Sequence, residues 1–415
     1  MKAKERMHAS AFKACSMSLL ILLTATFTCT ASAGPREQAK RIHDRIAGVP
    51  PSASRLDDMT REIEANRALN AAFTAMEDRA FYNVTLKNFA APWTNEAMTP
   101  FVPLNDYTAT VIGLVRDDAD FRRVLYDDIL YVGTWNDVPT YSNSNNDHYE
   151  MIEKLGHDLS DKQNFRGLSQ SSVTGLPTDA TAGVITSRAA ARAFFSAGTN
   201  RAMFRFTLIN HMCRDLEQVA DVNLPPDRIR QDVSRSPGGD SRVFLNNCVG
   251  CHTGMDPMTQ AFAYYDYEYN PDGDPDGTLG RLVYNTVNDP ETQSRVQGKY
   301  LINSTTFAPG YVTPDDKWDN YWRQGANRRL EWSWSPVNGA PSGSGSGAKS
   351  LGMEWASSKA FAECQVKKVF TNVCLRPPSS SADHVQVDNM VDNFRSHNFN
   401  LKQVFAESAV YCAGE

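Results

Sequence analysis

Asn247-Cys248-Val249-Gly250-Cys251-His252 is the stretch from which the rest of the chain is read. Its core, Cys-x-x-Cys-His, is the attachment spacing for a c-type haem. Two thiols add to the two vinyl groups of the porphyrin, and the two intervening residues let both sulfurs reach one porphyrin edge. The imidazole of the next residue can then reach the iron as a fixed axial ligand. With 8 Cys and 8 His in 415 residues, chance supplies this pattern only about 0.003 times. Cys248, Cys251 and His252 are therefore the expected cofactor-binding residues, with His252 on the iron. One motif implies one covalent haem c. A zinc site would need two more ligands at paired spacing, and none is apparent. A thioredoxin-like dithiol would want a βαβ setting, also absent.

The opposite iron face is the open position. Met255 lies too close to His252 to wrap round, and Met258 is barely better placed. Met353 stands in Ser350-Leu-Gly-Met-Glu354, after the Gly-Ser run 342–347, a segment expected to be flexible, and before a helix. A loop of that kind can present a thioether, so Met353 is the expected second iron ligand; packing is its competing role. Methionine ligation would raise the reduction potential. His211 and Met212 are alternatives on an apolar helix, where core packing is the commoner use. His148, His157, His384 and His397 read as surface histidines. Arg201 and Arg205, at i and i+4, can face haem propionates or form ordinary ion pairs. Asp272-x-Asp274-x-Asp276-Gly277 resembles half a calcium loop, but the twelfth position is Val283 rather than Glu, so a solvated acidic turn is expected.

Residues 1–33 read as an export leader. Lys2, Lys4, Arg6 and Lys13 precede an apolar run from Met17 to Thr28, too short to span a bilayer, and Ala31-Ser32-Ala33 is a small-x-small cleavage site. No later run is long and apolar enough for a membrane span. The expected location is periplasmic or otherwise exported, with cell-surface association open. The formal net charge is −6, and removal of the leader leaves −9. Such an acidic chain has no electrostatic footprint for nucleic acid. Cys213, Cys364, Cys374 and Cys412 then remain for two disulfides in an oxidising compartment. Cys364 and Cys374 share one helical run, roughly 15 Å apart, too far for a bridge; that pairing is disfavoured and the others stay open.

The pattern predicts a mainly α protein. A helical N-terminal module spans 34–135, with helices expected over 81–89, 107–115 and 121–131. A c-type haem domain with a loop-rich insertion spans 136–350, and a helical C-terminal module 351–415. Met203, Phe204, Phe206, Leu208, Ile209 and Met212 make an almost all-round apolar helix, which belongs in an interior. Asp240 is the expected N-cap of the short helix that delivers the motif. Trp318, Trp322, Trp332, Trp334 and Trp355 gather after it.

The stretch Cys248-Val-Gly-Cys-His-Thr-Gly-Met-Asp-Pro-Met-Thr-Gln-Ala-Phe-Ala-Tyr-Tyr-Asp266 resembles the planctomycete-type c-haem proteins, in which Cys-x-x-Cys-His is followed by Asp-Pro and an aromatic-acid end. Gly183-Val-Ile-Thr-Ser-Arg and Gly198-Thr-Asn-Arg201 look like that family's upstream segments. Arg41-Ile to Pro51, Phe361 to Phe370 and Leu401 to Val410 look like its terminal modules. The resemblance implies a cytochrome c-like haem domain, attachment at Cys248 and Cys251, and iron ligation by His252. It does not specify the reaction. Three functions follow as expectations. One is single-electron transfer to a redox partner protein. Another is a haem enzyme of peroxidase or oxygenase type with an open or displaceable sixth position. The third is a scaffold in which haem is structural. The lack of a catalytic constellation makes an electron carrier the leading expectation over a catalyst.

Overall fold

The computed structural model describes residues 33–290, 292–302 and 306–414; apart from Ala33, the expected leader lies outside them. Helices form where apolar residues recur at helical spacing and a cap is at hand. The first, α1 (Pro35–Ala47), has Pro at its start, buries Ala39, Ile42 and Ile46 on one face, and ends at Gly48 with φ 72°. It is followed by α2 (Ala53–Glu64), capped by Ser52, and α3 (Ala68–Ala75). A π-turn over Phe81–Leu86 runs into α4 (Lys87–Ala90). Asn105 caps α5 (Asp106–Arg116), which is buried along its whole length. Then come α6 (Asp147–Leu155), α7 (Gln170–Thr174), α8 (Arg188–Phe194) and α9 (Arg201–Met212). After α10 (Ser241–Val243), the Cys-x-x-Cys-His segment spans the end of a π-turn, Phe244–Cys248, and the start of α11 (Val249–Thr259). After α12 (Gly298–Ile302), the chain ends in α13 (Gly347–Ala356), α14 (Lys359–Cys374), α15 (Ser381–Ser396) and α16 (Leu401–Cys412).

The chain is mainly α, with three short antiparallel ribbons among the described residues. They are β1 (Leu130–Gly133) with β2 (Phe165–Leu168), β3 (Tyr265–Glu268) with β4 (Arg281–Tyr284), and β5 (Lys317–Asp319) with β6 (Ser344–Ser346). Two expectations are corrected here. The helix expected over 121–131 is a 3-10 turn, Phe121–Leu125, that gives way to β1. The aspartates that follow explain the break. Asp127 Oδ1 accepts the Asp128 amide, and Asp128 takes the amide and hydroxyl of Ser171, so neither supports a continuing helix. The Gly-Ser run expected to be flexible contains β6. Its Gly345 lies on the Trp318 ring, where a Cβ would come within 2.8 Å of the indole; only glycine allows that approach.

One continuous apolar core runs from Ala39 to Ala413. It places α1 and α3 against α16, and α9 against α14, so the segments at either end of the described chain pack together around its middle. Cys213–Cys364 (Cα–Cα 5.1 Å) joins the end of α9 to α14, and Cys374–Cys412 (5.6 Å) joins α14 to α16. Cys364 and Cys374 are not bridged to each other, as their places on one helix require. Among the described residues no helix is long and apolar enough to cross a membrane. His148, expected at the surface, is buried: its Nε2 accepts the Gly133 amide at 3.0 Å and its Nδ1–H donates to the Pro139 carbonyl at 2.6 Å.

Candidate haem-attachment site

Asp240 caps the entry to the motif by accepting the Arg242 amide at 2.9 Å. The π-turn Phe244–Cys248 then inserts a wider turn before α11 begins at Val249. Cys248 and Cys251 fall on either side of that junction, one helical turn apart, and both are half-buried thiols outside the disulfides. Cys248 packs against a small satellite core of Ile229, Val233, Phe244 and Val249. The Cys251 thiol points at the Leu216 carbonyl, 3.6 Å away. Burial, reinforced by Glu217 and Asp215, pushes the Cys251 thiol up. A reactive dithiol needs the opposite shift. Val222, Val243 and Leu245 leave apolar side chains exposed close to the motif in the chain or against it.

His252 lies four residues before Asp256 on one face of α11. Its Nδ1–H donates to Asp256 Oδ1 at 3.0 Å. Nε2 has no hydrogen-bond partner among the described residues, and the side chain keeps 20% of its exposure. Asp256 is fully buried and accepts three further bonds. Arg201 Nε and Nη2 donate at 2.9 and 3.1 Å, and the Arg230 amide at 3.1 Å. Burial would raise the Asp256 carboxyl; Arg201 and His252 outweigh it and hold the group far below the usual carboxylate range. Arg201 also forms a bidentate pair with Asp232, at 2.6 and 3.0 Å.

Below the motif, α11 rests on an aromatic floor. A Cβ on Gly254 would lie 1.9 Å from Trp322 Nε1, so glycine is what lets the helix meet that indole. Trp322 is held by Asn320, whose side chain accepts the Trp322 amide and donates to Glu354. Glu354, fully buried, takes Arg323 Nε and Nη2, each at 2.7 Å.

The expected site residues are thus brought together in part. Cys248, Cys251 and His252 share one short segment. Met353 lies within α13 rather than on a loop, half-buried and packed against the main core. The helix begins six residues earlier, at Gly347, whose φ of 73° makes the turn out of β6. Met255, Met258, His211 and Met212 are core residues; His211 Nε2 meets the Tyr107 hydroxyl at 2.8 Å. Arg201 and Arg205 are engaged in ion pairs, the commoner of their two expected uses, Arg205 with Asp215 at 2.6 Å. In the acidic turn, Asp274 accepts the Leu279 amide and the Thr278 hydroxyl. Among the described residues no group of three or more His, Cys, Asp or Glu side chains is arranged to hold a metal ion.

Sequence reasoning missed Asp256. Its position at i+4 from His252 was a readable signal, since such pairs face one another on a helix. Its partners Arg201 and Arg230 come from distant segments and left no local trace. No family model matches the chain, and neither the curated proteins nor the solved structures give a match.

Proposed function

We propose that the protein is an exported monohaem c-type cytochrome that passes single electrons to and from a redox partner protein. The observation that carries this reading is the state of the three motif residues. Among the described residues, the two cysteines outside the disulfides are those of the motif, and the adjacent histidine has Nδ1 bonded and Nε2 without a hydrogen-bond partner. The four other cysteines of the described chain are paired in disulfides, which fits an oxidising compartment. The residues suit the group: Cys248 and Cys251 would hold the porphyrin edge, and His252 Nε2 the iron. Haem, when bound, supplies a one-electron couple whose potential follows its axial ligands and surroundings. The chain's part is to fix His252, shield one edge with Ile229, Val233 and Phe244, and leave Val222 and Leu245 as an apolar rim.

Met353 remains the proposed second ligand; reaching iron from α13 requires its thioether to leave the core packing. A second reading, a haem enzyme with an open sixth position, is favoured by the buried carboxylate behind His252, because such a partner makes the imidazole a stronger donor. The test is maturation of the chain in a host that attaches haem. The expected result is haem that stays with the denatured polypeptide, absent from a Cys248→Ser/Cys251→Ser variant. Haem that is lost on denaturation of the wild-type chain rejects the assignment. Met353→Ala then separates the two readings: loss of the methionine-to-iron absorption band supports the electron carrier, and an unchanged spectrum removes Met353 from the iron.

A further inference from the structure

Asp256 is held by more of the chain than a helix residue needs. It is fully buried, sits in the middle of the attachment segment and collects donors from three places: His252 on its own helix, Arg201 at the start of α9, and the backbone of Arg230. A carboxylate in that setting is costly to desolvate unless its partners are well placed. Here they are, and one of them is itself shared. Arg201 divides its guanidinium between Asp256 and Asp232, so Asp256 is neutralised only in part.

The consequence falls on His252. Because a carboxylate only accepts, the Nδ1 proton stays on the ring, and the lone pair is confined to Nε2. The i, i+4 spacing on α11 sets the distance through the backbone, so the ring is aimed before any ligand arrives. A charged acceptor draws the Nδ1 proton more strongly than a neutral carbonyl does, which makes Nε2 a better electron donor.

Resting on the haem reading above, we infer that Asp256 is a positioning residue for the iron ligand: it fixes the tautomer of His252 and strengthens its donation, lowering the reduction potential, while Arg201 and Asp232 meter its charge. Stronger donation favours the oxidised, more positive iron, which is why the potential falls. Replacing Asp256 by Asn removes the charge and keeps the shape. Arg201 then still has Asp232, so the substitution leaves no unpaired buried cation. Replacing Asp232 by Asn turns the whole of Arg201 onto Asp256 and weakens its pull on His252.

The experiment compares wild type, Asp256→Asn and Asp232→Asn, each matured with haem, by covalent haem content and by spectroelectrochemical midpoint. A nitrogen-15 spectrum of the histidines in protein made without haem adds a readout independent of the cofactor. The expected results are an Nδ1–H tautomer for His252 in the wild type, covalent haem in all three, a midpoint shifted upward in Asp256→Asn, and a smaller upward shift in Asp232→Asn. A purely structural Asp256 would lower the unfolding midpoint and leave the potential where it was; that result overturns the proposal. If Asp256→Asn does not fold, an unshifted Asp232→Asn overturns it instead. Absence of covalent haem in the wild type rejects the haem reading and the effect on potential with it. An Nε2–H tautomer in the wild type rejects the positioning role alone.

Discussion

At Gly254 the helix α11 touches the Trp322 indole more closely than any side chain would permit. Adding a methyl group there leaves two outcomes, a displaced indole or a displaced helix, because Trp322 is fully buried and its neighbours Asn320, Arg323 and Glu354 are locked together. Gly254→Ala is expected to cost about 1–3 kcal/mol, the usual penalty for overpacking a core. Urea unfolding followed by tryptophan fluorescence measures it; a variant as stable as wild type would mean that the contact is looser than described. The same residue illustrates what a sequence conceals. Cys248, Cys251 and His252 announce themselves by spacing alone, whereas Gly254 gains meaning only from an indole 68 positions away. Asp256 stands between these cases: its pairing with His252 follows from helix geometry, but its burial and its link to Arg201 do not.

Among the elements, the helices were legible and the short strands were not. Helices such as α1 and α14 carry their own pattern of apolar residues, while β1, β3 and β5 run for only three or four residues, too few for alternation to stand out. Their partners are supplied by distant segments, as Ser344–Ser346 is for Lys317–Asp319. The helix α14 is held at both ends by disulfides, through Cys364 to α9 and through Cys374 to α16. The second closes a loop with a separation of 38 residues. Replacing Cys374 and Cys412 together by Ala is expected to lower stability by about 4 kcal/mol on the chain-entropy account. Thermal unfolding of the variant against wild type tests this, and an unchanged midpoint would show that the α14–α16 packing alone holds the pair.

For the whole molecule, His43, His148 and His211 are buried in separate parts of the structure, and burial lowers the pKa of each below 6.5. Each is neutral when folded and takes up a proton on unfolding as the pH falls through about 6.5. The unfolded chain then binds more protons, so stability is present above that pH and lost below it. The unfolding midpoint is expected to drop between about pH 7.5 and about pH 5.5. His211→Gln, which keeps a polar partner for Tyr107, should flatten the slope; an equally steep slope in that variant assigns the acid sensitivity elsewhere. The modular pattern read from the sequence shows where helices begin and stop, but not that the outer segments share one core. That arrangement depends on contacts between residues hundreds of positions apart, such as Arg45 donating to the Cys412 carbonyl at 2.6 Å.

This closure of α1 and α3 upon α16 also has a meaning in time. A chain made or threaded from its first helix cannot bury the inner faces of α1 and α3 until α16, its last, has emerged. The Cys248–His252 segment near mid-chain emerges before then, with the helix α9 on which α11 packs already made. The Cys374–Cys412 bridge, which needs α16, would mark the moment at which the two ends meet.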